Sequence, residues 1–141
     1  MKDVFPGKKF DLGEVILSEK EIIDFARSFD PLPFHTDRET AKKTIFRGLI
    51  ASGPHIFNVF YQREWIPRFG NTVICGLCVS NWKFIKPIYS GQKITAELSV
   101  LSVKRDEKIA GDAITWLFEF KNEKGEMVQF LQMEVMHKLN E

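Results

Sequence analysis

The chain has 141 residues, 44% of them hydrophobic and thirteen of them Phe, which fits one domain with a substantial core and excludes a disordered chain. Its formal net charge of +1 gives no electrostatic reason to expect nucleic acid or an anionic membrane as partner. Residues 1–7 lack the apolar core of a signal peptide, and no apolar run approaches the roughly 20 residues that span a bilayer, so a soluble cytoplasmic protein is expected.

Residues 10–17 read as a short strand. Ser18 and Glu21 form a capping box, and Ile22, Ile23, Phe25 and Ala26 follow at helical spacing. Pro31 and Pro33 disfavour helical geometry at Asp30 and Leu32, so this helix stops near Phe29. Thr36 with Glu39 forms a second capping box and predicts a short helix through about Lys43. Gly53 and Pro54 suit the N-cap and first position of a third helix. Its residues Ile56, Phe57, Val59, Phe60 and Trp65 leave little polar surface, so it is expected to be buried, ending at Pro67 and Gly70.

Beyond Gly70 the pattern becomes β. Strands are predicted over residues 73–87, 94–104, 113–122 and 128–138. Turn signals separate them at Tyr89-Ser90-Gly91-Gln92, at Asp106-Glu107-Lys108 with Gly111-Asp112, and at Asn122-Glu123-Lys124-Gly125. The order implies an α+β architecture, a single domain over residues 1–141 in which an antiparallel sheet wraps one buried helix. Such a sheet leaves an edge strand, so pairing with a second copy is expected.

Cys75 and Cys78 form Cys-x-x-Cys within a predicted strand. A redox pair wants a helix N-terminus, and a zinc site wants a second ligand pair; neither is evident. Residues three apart on a strand point to opposite faces, so two ordinary buried thiols are expected, and no metal.

The segment Asp30-Pro31-Leu32-Pro33-Phe34-His35-Thr36-Asp37 carries more chemistry. It places a carboxylate and an imidazole five residues apart on a proline-stiffened loop. Ile50-Ala51-Ser52-Gly53-Pro54-His55 then opens the apolar helix. An acid/base pair and a helix N-terminus are what a reaction moving protons around an activated carbonyl requires. Fully extended, Asp30 and His35 stand as much as roughly 17 Å apart, so they share a water only if the loop doubles back. Pro54 has no N–H to offer, which leaves Gly53 as the candidate backbone donor. Asp37 reads as a charge at a helix N-terminus, Arg27 as a solvated helix residue, and His137 has no evident partner. Lys83, Lys86, Lys104 and Arg105 read as solvated surface that a phosphate group can meet.

The run Phe25-Ala26-Arg27-Ser28-Phe29-Asp30-Pro31-Leu32-Pro33-Phe34-His35-Thr36-Asp37 resembles the hydratase motif of MaoC-like acyl dehydratases, which include the (R)-specific enoyl-CoA hydratases of the hotdog fold. Gly48-Leu49-Ile50-Ala51-Ser52-Gly53-Pro54-His55 is similar to that family's entry into its central helix. Trp82-Lys83-Phe84-Ile85-Lys86-Pro87-Ile88-Tyr89-Ser90-Gly91-Gln92 resembles its next segment, which related thioesterases share. Two departures stand out. Leu32-Pro33 replaces the Asn-Pro of many members, and Tyr61 stands where some hydratases carry a serine in the central helix.

The resemblance implies a hotdog fold and addition or removal of water across an enoyl thioester. It implies Asp30 and His35 as the acid/base pair, with Gly53, Ser52 and His55 around the thioester oxygen and substrate. Coenzyme A or acyl carrier protein is then part of the substrate, with no separate cofactor, and the assembly is a homodimer or a dimer of dimers. Two alternatives stay open: a thioesterase of the same fold, and a non-catalytic module that binds acyl thioesters.

Overall fold

The computed structural model describes residues 3–138. Five strands form one antiparallel sheet: β1 (Lys9–Ile16), β2 (Val73–Phe84), β3 (Lys93–Asp106), β4 (Gly111–Lys121) and β5 (Met127–Lys138), in the order β1-β3-β4-β5-β2. The helices are α1 (Glu19–Phe29), the short α2 (Pro33–Thr36) and α3 (Arg38–Lys42), α4 (Gly53–Phe60) and α5 (Ile66–Phe69). The curved sheet embraces α4 in the hotdog arrangement, as the order of predicted elements implied.

The core follows from the two periodicities meeting. On β4, Trp116, Phe118 and Phe120 alternate with half-exposed residues and are fully buried. Trp116 lies in register with Val100 on β3 and Met133 on β5; Phe118 lies in register with Leu98 and Leu131. Against this layer the helical segment sets Ile56, Phe60, Trp65 and Phe69. Trp65 meets Trp116 edge to face at 5.7 Å, and Phe69 lies 4.6 Å from the same ring. Cutting one of these aromatics to Ala is expected to cost about 3–5 kcal/mol.

Local signals set the helix ends, with two corrections. Ser18 and Glu21 make the reciprocal capping box on α1, and the helix stops at Phe29. The second box is not formed. Thr36 belongs to α2, where its hydroxyl donates to the Leu32 carbonyl, and the cap of α3 is Asp37, whose carboxylate accepts from the Glu39 and Thr40 N–H groups. Those bonds hold the Asp37 carboxyl below its ordinary range, the Thr40 hydroxyl being the largest cause. The cap of α4 is Ser52, with Gly53 and Pro54 inside the helix, so the helix starts one residue earlier than the sequence pattern suggests.

Pro67 does not end the central helix either. A proline lacks the N–H that closes the turn, and its ring collides with the carbonyl four residues back, here that of Arg63. The helix absorbs this by widening over Tyr61–Trp65 into a π turn, in which the Ile66 N–H donates to the Tyr61 carbonyl, and continues as α5.

The cysteines are a fourth correction. Both are exposed, because β2 is an edge strand covered on neither face in one copy of the chain. A bulge at Leu77 also reverses their parity. Cys75 lies opposite Met136 and Cys78 opposite Glu134, two residues apart on β5, so both thiols sit on the same face.

His137 has partners that its position near the C-terminus does not reveal. It is fully buried, and its Nε2 accepts from the Trp116 indole N–H at 3.2 Å. An indole N–H only donates, so the imidazole proton sits on Nδ1, 2.9 Å from the Thr72 hydroxyl, which donates onward to the Phe69 carbonyl. The chain ties the end of the helical segment to β4 and β5. Burial pushes the His137 imidazole down to about 4, and burial does the same to His55. In the unfolded chain both titrate near 6.5. As pH falls from 6.5 towards 4 the unfolded state takes up protons that the folded state refuses, so stability is full above that window and lost within it. The melting temperature is therefore expected to fall steeply between pH 6.5 and 4, and a flat profile there would contradict this account.

Candidate active site

The Asp30–His35 segment does double back. The Leu32 N–H donates to the Asp30 carbonyl at 2.8 Å, and the His35 N–H donates to the Leu32 carbonyl at 2.9 Å, winding the chain into α2. The expected loop is thus a turn of helix started by Pro33, whose fixed φ suits a first helical position. The result brings His35 Nε2 to 3.4 Å from Asp30 Oδ2.

Each of the two groups is anchored. His35 is 5% exposed, and its Nδ1 lies 2.7 Å from the Ile50 carbonyl oxygen. A carbonyl only accepts, so Nδ1 carries the proton and Nε2 is the nitrogen free to exchange one. Asp30 ends α1, its N–H donating to the Ala26 carbonyl. Its Oδ2 accepts from the buried Ser52 hydroxyl at 2.7 Å. A hydrogen bond to a carboxylate at that length belongs to the stronger class, worth about 1.5–3 kcal/mol when well sheltered.

Ser52 achieves this by abandoning an ordinary task. At the N-cap of a helix its hydroxyl would accept from the N–H of the second or third residue. Here the second residue is Pro54, which has no N–H, and the third, His55, donates to the Ser52 carbonyl instead. The Gly53 N–H donates to no acceptor among the described residues. Asp30, His35, Ser52 and Gly53 line one cavity of about 440 Å³, together with Phe84 and Pro87 from the end of β2 and the stretch after it.

A Cβ at position 53 would lie 2.6 Å from the Phe84 ring, so a side chain there displaces that half-exposed ring from over the helix start. The floor is Gln129, which sequence reasoning passed over. It is 2% exposed, accepts from the Trp82 indole N–H at 2.9 Å and donates to the Gly53 carbonyl at 2.9 Å. The signal was present, since Gln129 shares strand parity with the core residues Leu131, Met133 and Val135.

His55 does not line the cavity that holds His35 and Gly53. It is 4% exposed, lies flat on Phe25 with ring centroids 4.2 Å apart, and lines an adjoining groove between α1 and α4 that shares Asp30 and Ser52 with that cavity. Its Nδ1 is buried with no partner among the described residues. Burial, helped by Arg63 and opposed by Glu21, lowers its pKa to about 4. Of the surface cations, Lys86 pairs with Glu126 and Arg105 with Glu107. Among the described residues no three His, Cys, Asp or Glu side chains gather as a metal ion requires, and no helix is long and apolar enough to cross a membrane.

Chemically the cavity is lined by a carboxylate, an imidazole nitrogen and a glycine at a helix start. The first two can deprotonate a water, and a backbone N–H at a helix start can stabilise negative charge on a carbonyl oxygen.

Comparison with known proteins places the family and the fold. The uncharacterised protein YdeM of Bacillus subtilis (strain 168) is 33% identical over 105 residues, covering 72% of this chain and 74% of that protein. The crystal structure of a MaoC-like dehydratase from Rhodospirillum rubrum superposes with a TM-score of 0.86 at 26% identity, over 100% of this chain and 97% of that one. An (R)-hydratase from A. caviae involved in PHA biosynthesis shares the fold, with a TM-score of 0.78 at 23% identity over 99% of this chain and all of that one. The model of the MaoC like domain family matches residues 3–115, and the chain belongs to that family.

Proposed function

We propose that the protein is a hydro-lyase that adds water to, or removes it from, the 2,3 double bond of an acyl thioester, carried on coenzyme A or acyl carrier protein. What supports this reading is one observation: Asp30 and His35 come within 3.4 Å of each other in a cavity that Gly53, at the start of the central helix, also lines. A thioesterase needs no such pair. The (R)-hydratase from A. caviae, which shares the fold, adds to the case.

In the hydration direction one water sits against both Asp30 and His35. His35 Nε2 takes one proton from it, while the Asp30 carboxylate accepts the other O–H and orients the oxygen. The oxygen bonds to C3, the π electrons move to C2, and charge passes to the thioester oxygen as an enolate. The Gly53 N–H donates to that oxygen and stabilises it more in the transition state than in the ground state. The imidazolium returns the proton to C2, and the thioester carbonyl re-forms. Dehydration is the same path reversed.

The reading includes a homodimer joined along β2. That edge strand is twelve residues long and exposes Ile74, Leu77, Val79 and Phe84, a surface that a monomer would leave open to aggregation. Sedimentation equilibrium is expected to give twice the 16.4 kDa chain mass, and a single 16.4 kDa species contradicts the dimer.

The activity is tested with a panel of 2-enoyl-CoA thioesters, following loss of the conjugated absorbance and release of free thiol together. Hydration without thiol release is expected. Asp30→Asn and His35→Ala are each expected to lower turnover by about 100-fold or more with folding intact. Near-wild-type turnover by either variant, or thiol release in place of hydration, would refute the assignment.

A further inference from the structure

The pairing of β2 with β5 shifts register three times, between Val73 and Cys75, between Gly76 and Cys78, and between Ser80 and Lys83, whereas each other pairing in the sheet shifts once. Each shift on β2 sets one extra residue against β5. β2 is also an edge strand, so a single neighbour sets its register. A slip of a bulge by one residue turns the side chains it passes to the other face of the sheet. The stretch beyond the middle bulge carries Trp82, which donates to Gln129, and Phe84, whose ring lies over Gly53. The position of that bulge therefore bears on the wall of the reactive cavity.

The middle bulge alone is flanked by a cysteine on each side. Cys75 and Cys78 share the face of their register partners Met136 and Glu134, away from the core residues Met133 and Val135. Without the bulge, residues three apart on a strand point to opposite faces. With it, the two Cα atoms are spaced like same-face neighbours, about 6.4–6.8 Å apart. That is the upper end of the range of about 4.4–6.8 Å that a disulfide spans. Gly76 between them bears no side chain, and nothing lies within 4 Å of where its Cβ would be, so the backbone there is free to draw the two residues together. Both thiols are exposed, although cysteine is among the residue types most often buried. Pairing of the β2 edge with a second copy engages backbone groups and leaves this face open. Packing gives the two thiols no role on it, which leaves their reactivity.

We propose that Cys75 and Cys78 are a reversible dithiol–disulfide pair that locks the bulged register of β2. The oxidant is a peroxide. One thiol attacks the peroxide O–O bond, becomes a sulfenic acid and releases one water. The second thiol attacks that sulfur; the S–S bond forms as the S–O bond breaks, and the departing hydroxide takes the second thiol's proton as another water. The peroxide gains the two electrons that the two sulfurs lose. A thiol reductant reverses the step through a mixed disulfide and is itself oxidised to a disulfide. The bond forms only while both sulfurs lie on one face, so it holds the bulge between residues 75 and 78. The lock acts on the strand and is independent of the hydratase reading.

The test treats the full-length protein with hydrogen peroxide at a small excess and then with dithiothreitol. Intact mass is expected to fall by two hydrogen atoms per chain and to return on reduction, with peptide mapping placing the link between Cys75 and Cys78. The oxidised protein is expected to melt about 3 °C or more above the reduced one and to exchange the amide hydrogens of residues 73–84 more slowly. Cys75→Ser and Cys78→Ser change exposed side chains, so both variants are expected to melt with the reduced wild type, and peroxide is expected to raise neither melting temperature. Peroxide treatment that yields only sulfinic acids, or only a link between two copies, overturns the proposal. So does a Cys75–Cys78 link that leaves the melting temperature and the exchange of residues 73–84 unchanged, or a rise in melting temperature that persists in the serine variants.

Discussion

The hydrogen bond from the Ser52 hydroxyl to the Asp30 carboxylate joins the end of one helix to the start of another, and the site is built around it. It crosses 22 positions of sequence and is 2.7 Å long. It fixes the carboxylate of α1 against the first turn of α4, where His35 and Gly53 also arrive. It also removes Ser52 from capping duty. Because Pro54 needs no cap and His55 takes the Ser52 carbonyl, the diversion leaves the Gly53 N–H without an acceptor among the described residues. A local rule of helix capping is broken where the chain needs a donor facing a ligand.

The rest of the fold keeps these pieces from moving. α4 is pressed into the sheet by Ile56 and Phe60, and its continuation through the π turn and α5 adds Trp65 and Phe69 to the same core. The buried chain from Trp116 through His137 and Thr72 to Phe69 locks the far end. At the near end Gln129 ties β5 to the Gly53 carbonyl. A helix held at both ends presents its first turn at a fixed position, which electrostatic stabilisation of a developing oxyanion demands. The same packing closes the interior and leaves the groove beside α1 as the roomier space next to Asp30.

Elements with a strong period or a capping pattern were legible in the sequence. The Ser18 box placed α1, the apolar run after Gly53 marked the buried helix, and the turn signals after Gly70 separated the strands. Reading failed where a tertiary contact overrode a local signal. Thr36 looked like a cap, but α2 takes its hydroxyl, and Asp37 caps α3 through Oδ1 while its Oδ2 accepts from the Thr40 hydroxyl. Pro67 looked like a stop, but packing of Trp65 and Phe69 against Trp116 keeps the chain helical through a widened turn. Cys75 and Cys78 looked buried and opposed, but a bulge cannot be seen in a period-two count, and an edge strand has no second layer in one chain. At the site, the types and spacing of Asp30, His35 and Gly53 were visible. Their convergence was not, because it depends on the hydrogen bonds to Ser52 and Ile50, 22 and 15 residues away.

The most direct measurement is a crystal structure of the protein with a bound 3-hydroxyacyl-CoA, the hydrated product. The account predicts the 3-hydroxyl within hydrogen-bond distance of both Asp30 and His35 Nε2, and the thioester oxygen on the Gly53 nitrogen. A hydroxyl remote from the Asp30–His35 pair, or a thioester oxygen beyond reach of the Gly53 N–H, would contradict it.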